Sequence, residues 1–422
     1  MTTERETHRA IEAVWRIEAP RLVAGLTRIV RDISIAEEMA QDALVIALKQ
    51  WPETGVPNNA GAWLMTTAKR RAIDYFRRNK MVARKLDALG YEIETEQAHG
   101  GEDIDERLDD DIGDDLLRLV FTSCHPVLSM EARVALTLRL IGGLTTDEIA
   151  RAYLVPEPTV AQRIVRAKRT IAEAHVPFEV PRGEERTHRL ESVLGVIYLI
   201  FNEGYSATSG DNWLRPQLLA EALRLGRLLA GLMPGEPEVH GLVALMEIQA
   251  SRAGARTGAD GEPILLLDQD RTKWDWTLIG HGLAALERAA ALGTRPGSYQ
   301  LQAAIAACHA RARRAAETDW NTIADLYDQL AALAPSPVVE LNRAVAYAMA
   351  FGAEAGLEIA DQLVDEPSLR NYHLLPSVRG DFLFKLGRRD EAKAEFERAA
   401  QMTRNAREKA LLLERAAECG KG

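Results

Sequence analysis

The sequence predicts an all-α protein, and three observations carry that reading. Ala, Leu, Glu and Arg, all strong helix formers, dominate nearly every stretch. Apolar residues recur at spacings of three and four. No window keeps up the alternation that a half-buried strand needs. With 422 residues, 47% hydrophobic and 27% charged, the composition is ordinary for a globular chain with several parts. Cys124, Cys308 and Cys419 lie far apart and form no CxxC, which argues against a disulfide framework or a Cys-rich zinc site. The longest apolar run, Val193 to Phe201, is far shorter than the ~20 residues of a membrane helix, and the start is charged with no apolar segment behind it. A cytoplasmic protein with no membrane partner is the expectation.

The formal charge of −10 is unevenly spread. Residues 1–86 carry 15 basic and 10 acidic side chains, and residues 87–115 carry 1 and 13. Residues 116–180 carry 8 and 6, and residues 181–422 carry 28 and 33. Two mildly basic blocks thus flank a strongly acidic stretch and precede a long acidic remainder, so net charge alone does not exclude nucleic acid.

In chain order, Ile35 to Trp51 reads as one amphipathic helix, ended by Pro52. The turn formers of Pro52 to Gly61, including Asn58 and Asn59, separate it from a second helix over Ala62 to Arg78. Lys69, Arg70, Arg71, Arg77 and Arg78 crowd that second helix, Lys80, Arg84 and Lys85 follow, and Trp63, Tyr75 and Phe76 are interleaved. Cations bind phosphate and rings stack on unpaired bases, so this segment suits a separated strand, although a solvated face with core aromatics has the same spelling. Residues 87–115 cannot bury much apolar surface and read as a disordered or loosely helical linker.

Strong helical periodicity resumes over Leu116 to Ala174. Thr145 caps a short helix with Asp147 and Glu148 in its first turn, ending near Leu154. Val155 to Pro158 makes the turn, and Thr159 to Ile171 is a second helix bearing Gln162, Arg163, Arg166, Lys168 and Arg169. Two short helices, a tight turn and a basic second helix form a helix-turn-helix, whose second helix reads bases in the major groove with Thr159, Gln162, Arg163 and Arg166 near its N-terminus.

These segments together resemble the extracytoplasmic-function type of bacterial RNA polymerase sigma factor, of the sigma-70 family. Ile35 to Leu44 (IAEEMAQDAL) is similar to the family's polymerase-binding helix, Ala62 to Arg78 to its promoter −10 helix, and Arg133 to Ile171 to its −35-binding domain. The resemblance implies that Glu37, Gln41 and Asp42 touch core RNA polymerase. It implies that Asn58 and Asn59 sit where a flipped −10 base is captured, with Trp63 in the same region, and that Lys69, Arg70, Arg71, Arg77 and Arg78 hold the melted strand. Promoter DNA and core polymerase are the implied partners; catalysis belongs to the polymerase, so no enzyme activity and no cofactor is expected.

Val176 to Gly183 looks like a domain boundary, beyond which Ala- and Leu-rich helix pairs take over. Gly380, Gly387, Ala392, Phe396 and Ala399 occupy the small and aromatic positions of a helical-hairpin repeat, and Gly352 precedes Gly387 by about 35 residues, near the tetratricopeptide period. Tyr198 to Tyr205 and Asp268 to Arg271 are similar to the sigma subgroup with a long repeat-bearing extension, thought to regulate the factor. The expected parts are residues 1–86 (sigma region 2), 87–115 (acidic linker), 116–180 (sigma region 4, helix-turn-helix), 181–290 (helical extension) and 291–422 (solenoid of repeats, facing a protein partner or the chain's own N-terminal half).

Asn202, Glu203, Tyr205, Asp268, Asp270, Arg271, Trp274 and Asp275, with His240 and His281, fit no metal signature; caps and salt bridges account for most of them, with a regulatory ligand contact as the other reading. GxxxxGK[ST], GxSxG and HExxH are all missing. A helical-repeat scaffold, or an enzyme housed in residues 183–290, remain the alternatives in other functional classes.

Overall fold

The computed structural model describes residues 2–87, 112–206, 214–258, 262, 264–293, 295–403 and 405–420. Eighteen α-helices and a few 3-10 turns make up the described residues, with no extended strand among them. None of these helices is long and apolar enough to cross a membrane. The chain divides into two compact units, Met1–Val196 and Ile197–Gly422, and the division falls inside one helix.

The first unit begins with α1 (Thr2–Val30), α2 (Ile33–Thr54) and α3 (Ala60–Asp87), which pack mutually. Ile11, Leu22, Leu26, Ala36, Ala40, Ala43, Ala47 and Leu64 close the core between them, and Trp51 is sealed beneath Trp63, edge to face at 5.2 Å. Pro52 does not end α2. The helix continues to Thr54, and Gly55, at a φ of 81° that suits glycine, caps it by donating its amide to the Trp51 carbonyl. A proline so near a C-terminus loses only one ladder bond, and its ring costs less there than in mid-helix.

α4 (Ile112–Ser123), α5 (Met130–Leu140), α6 (Thr146–Tyr153) and α7 (Glu157–Glu173) follow. Of the expected linker, residues 88–111 lie outside the described residues. Its last four residues belong to α4, and Asp115 is a buried ion-pair partner instead of a solvated charge. The first half of α8 (Gly183–Tyr205) closes this unit: Arg189 donates to the Phe121 carbonyl, and Ser192 donates to the Cys124 carbonyl.

The second unit takes over from Ile197. It holds α9 (Pro216–Leu232), α10 (Pro237–Ala250), α11 (Trp276–Leu292), α12 (Ser298–Arg311), α13 (Trp320–Leu333) and α14 (Pro337–Phe351). α15 (Ala353–Asp361), α16 (Leu374–Lys385), α17 (Arg389–Met402) and α18 (Ala406–Cys419) complete it. From α12 onward each helix packs on its successor, as in a quasi-one-dimensional stack. α10 is apolar nearly all round and so lies inside, between α11 and α12. The two glycines about 35 residues apart, Gly352 and Gly387, both stand at tight turns between helices with φ of 105° and 76°. Gly356 brings α15 against α14, where an added Cβ would meet the Ala348 Cβ at 2.5 Å and the Ala344 carbonyl oxygen at 2.6 Å.

That close approach gives a test of the packing. Gly356→Ala should destabilise the second unit by roughly 1–3 kcal/mol through overpacking. Gly280→Ala, on α11 with no atom within 4 Å of its added methyl, should instead gain about 0.5–1 kcal/mol of helix propensity. Thermal melts of the full chain distinguish the two signs.

Candidate nucleic-acid and polymerase interface

The Asn59 side chain accepts from the Ala62 amide and so starts α3; Asn58 and Asn59 are both exposed. One turn on, Trp63 is half-buried. Lys69 is half-buried, whereas Arg70, Arg71, Arg77 and Arg78 are exposed along the helix. A basic ridge with an aromatic at its head therefore faces solvent. The side chains of Lys80, Arg84 and Lys85 lie outside the described residues. Arg71 reaches Asp42 of α2 at 3.7 Å, which joins the basic ridge to the helix bearing the polymerase candidates.

The helix-turn-helix is built as its residues dictate. Thr145 and Glu148 form a reciprocal capping box at the head of α6. Leu154 closes α6 in the left-handed region at φ 52°, its side chain largely exposed. α7 begins at Glu157, two residues before the expected Thr159, because Pro156 and Pro158 suit a helix start, where no amide is needed. Val160, Ile164, Ala167 and Ile171 make its buried stripe. Thr159, Gln162 and Arg166 are exposed on the other side, and Arg163 is half-buried within electrostatic reach of Glu131.

Glu37 has a different setting. It lies on α2 at 9% exposure, and its carboxylate accepts from Arg139 of α5 at 2.8 Å and is also paired with Lys168 of α7. Burial alone would raise the Glu37 carboxyl, but the charges and hydrogen bonds of Lys168 and Arg139 outweigh it and hold the group below its ordinary range. Gln41 donates to the same carboxylate at 3.3 Å; Gln41 and Asp42 themselves remain exposed.

Three further contacts fasten the helices of α1–α3 to those of α4–α7. Arg28 of α1 meets Asp115 of α4 at 3.0 Å, and Arg118 meets the same carboxylate at 2.7 Å. Arg16 of α1 meets Glu148 of α6 at 3.1 Å. Gly143, at φ 67°, lies so close to α1 that an added Cβ would stand 3.4 Å from the Arg16 carbonyl oxygen.

Arg139 and Asp115 were not singled out from the sequence, and Lys168 was read only as one of the basic residues of the second helix. For Lys168 the signal was available: it follows Ile164 by four, on the flank of the buried stripe and not among the exposed residues. Among the described residues no group of three or more His, Cys, Asp or Glu could hold a metal.

Comparison with known proteins decides the family. Residues 15–81 match the model for sigma-70 region 2, and residues 118–171 match that for sigma-70 region 4. The chain belongs to the extracytoplasmic-function group of the sigma-70 family. It is a sigma factor, whose partners are core RNA polymerase and promoter DNA. Residues 189–290 match a family of unknown function. An uncharacterised protein of Rhizobium meliloti (strain 1021) is 43% identical over 395 residues, covering 93% of this chain and 92% of the relative. A probable ECF RNA polymerase sigma factor, SigI, of Mycobacterium tuberculosis (strain CDC 1551 / Oshkosh) is 26% identical over 179 residues, 42% of this chain and 60% of that relative.

In this sigma factor the Glu37 pairing carries a pH signature. A carboxyl depressed in the folded state adds stability in full above its ordinary value of 4.5, and that stability is lost as pH falls through the lowered value. Wild type should exceed Glu37→Gln by roughly 1–3 kcal/mol at pH 7, as for a charged hydrogen-bonding group. The difference should vanish in acid, read from thermal melts between pH 7 and pH 3.

Proposed function

We propose that this sigma factor rests in a closed form, with region 4 seated on region 2, and that it loads onto core polymerase only when the two separate. The observation that carries this is Glu37: the resemblance assigns it to the polymerase contact, yet Arg139 and Lys168 enclose it. The exposed Gln41 and Asp42 extend the same contact. Asn58, Asn59 and Trp63 receive the −10 element, while Lys69, Arg70, Arg71, Arg77 and Arg78 hold the melted strand by its phosphates. Thr159, Gln162, Arg163 and Arg166 read the −35 element in the major groove.

The factor acts in the cytoplasm, and chemistry stays with the polymerase. The 24 residues between Asp87 and Ile112, within the acidic span 87–115, tether the two DNA-binding regions. The repeat-like helices of 291–422, with 181–290, bias the balance between closed and open forms. Support for a unitary extension comes from its core: Ala303, Ala306, Ala307 and Ala310 of α12 pack with Val243, Ala244, Leu245 and Ile248 of α10. A truncation at residue 290 would therefore tear that core open.

Two measurements test the assignments. Arg166→Ala should weaken binding to a cognate −35 site by roughly 1–3 kcal/mol while leaving random DNA nearly unchanged, whereas Arg77→Ala should weaken all sequences alike and lower the salt slope by about one. Equal losses on cognate and random DNA for Arg166→Ala would remove it from base reading. The closed form is tested by a lock. Gly143 lies against the Arg16 backbone, so the double variant Arg16→Cys, Gly143→Cys brings two thiols within disulfide range. Oxidised, it should give no promoter-specific transcript with core polymerase, and a reductant should restore it. Undiminished transcription from the cross-linked protein would refute the need for opening.

A further inference from the structure

The motifs around Tyr205 and Asp268–Asp275 find work in the second unit that leaves one group unexplained. Glu203 pairs with Arg215 at 3.0 Å. Asp270 and Asp275 cap the helical turns that follow them. Arg271 donates to the carbonyls of His309 and Ala312, at 2.7 and 2.6 Å, and to the Thr318 hydroxyl, so it closes the C-terminus of α12. Each of these is structural.

Arg252 is not. It is 7% exposed, its side chain makes no hydrogen bond among the described residues, and no carboxylate pairs with it among them. Its charged neighbours are cations: it lowers the protonation of Arg256, Arg271 and His309 in turn, in each case after burial, and His309 falls to about 3. The rings of Tyr205 and Trp274 stand 6.0 and 5.9 Å from its guanidinium carbon. That is the outer limit of cation–π attraction, too far to compensate a buried charge beside two others.

The surroundings supply the rest of a site. Arg256 lies 3.6 Å over the Tyr205 ring. Trp274 Nε1 and His309 Nδ1, both on side chains more than nine-tenths buried, have no hydrogen-bond partner among the described residues. Tyr198, Tyr205 and Tyr327 are half-buried. Burial and the nearby Tyr198 push the Tyr327 phenol up to about 12, with Arg252 pulling the other way, and burial likewise raises the Tyr198 phenol.

We propose that the second unit binds a small solute bearing a phosphate or carboxylate, its oxyanion met by Arg252 and Arg256 and its body flanked by Tyr198, Tyr205 and Tyr327. An anion there satisfies the orphaned guanidinium, and the tyrosine hydroxyls and rings accept a planar or hydroxylated remainder. The site lies wholly within Ile197–Gly422 and does not depend on how the promoter-reading residues are assigned. It gives the extension a chemical input of its own.

The test uses the full chain, with thermal melts and titration calorimetry in inorganic phosphate, acetate or benzoate against chloride at matched ionic strength. At least one of the three should raise the melting temperature by about 2–5 °C at 10 mM. A phosphate-only response identifies a phosphorylated solute. A response to acetate identifies a carboxylate, and a larger one to benzoate an aromatic carboxylate. Arg252→Gln should bind at least tenfold more weakly and, without anion, melt no lower than wild type. Arg256→Gln serves as the second variant if the first does not fold. Arg77→Gln with Arg78→Gln, on the basic ridge of α3, should keep the response. No response to any anion overturns the site, as does a response that Arg252→Gln retains or that the ridge variant abolishes. A lower melt for Arg252→Gln with no anion effect makes the arginine a structural brace and likewise overturns it.

Discussion

One buried carboxylate holds the DNA-binding half of the molecule in its present form. Glu37 alone, at 9% exposure on an apolar helix, would be expensive to ionise. Arg139 and Lys168 make it affordable, and they come from two helices of the other region. Removing either cation leaves a buried charge half compensated, which costs more than the intact pair gains. The Asp115 pairings and the approach of Gly143 to α1 are then consistent with a single docked arrangement. Because the Glu37 pairs are largely shielded from water, salt screens them less than it screens the exposed arginines of α3. Rising salt therefore screens those exposed arginines before it weakens the Glu37 pairs.

Composition and periodicity were enough for the helical class, since Ala, Leu, Glu and Arg at helical spacing have few other outcomes. The capping box at Thr145 and Glu148 was legible because the two partners lie only three residues apart. Pro52 misled because proline's penalty depends on its distance from the helix end, which local sequence does not state. Asp115 misled for a different reason. In a run of 13 acids it looks like one more solvated charge, and only the fold brings Arg28 from 87 residues away. The enclosure of Glu37 was likewise invisible, being a pairing across 102 and 131 residues that no periodicity encodes.

The second unit shows the same division between local and distant causes. Caps at Asp270, Asp275, Asp319, Ser336 and Asn405 follow from residue type and the turn beside them. Arg271 spans 38 and 41 residues to reach the end of α12, and Arg252 is surrounded by rings from α8 and from the loop before α11. Buried arginines of this kind are where a sequence reading that treats Arg as surface fails. They are also where chemistry beyond packing concentrates, because desolvated cations must be matched by something.

Geometry gives a further reason why the closed form cannot be the one that works on a promoter. Elements centred 35 and 10 base pairs upstream are about 25 base pairs apart, or about 85 Å along straight DNA at 3.4 Å per base pair. In the closed form, α7 and α2 touch through Lys168 and Glu37. The longest helix of that unit, 29 residues, measures only about 44 Å at 1.5 Å per residue. Two reading surfaces on so small a body do not reach both elements of an unbent duplex. Between Asp87 and Ile112 lie 24 residues, whose contour is at most about 80–86 Å. With the width of each region added, that tether permits the span, but only after Arg139 and Lys168 have let go of Glu37. Thr159, Gln162 and Arg166 are exposed while Lys168 is engaged, so the face of α7 that carries these three is separate from the flank that meets Glu37. The docked arrangement thus leaves Thr159, Gln162 and Arg166 exposed while it encloses Glu37, so that releasing one clamp would free the carboxylate and let the two regions separate together.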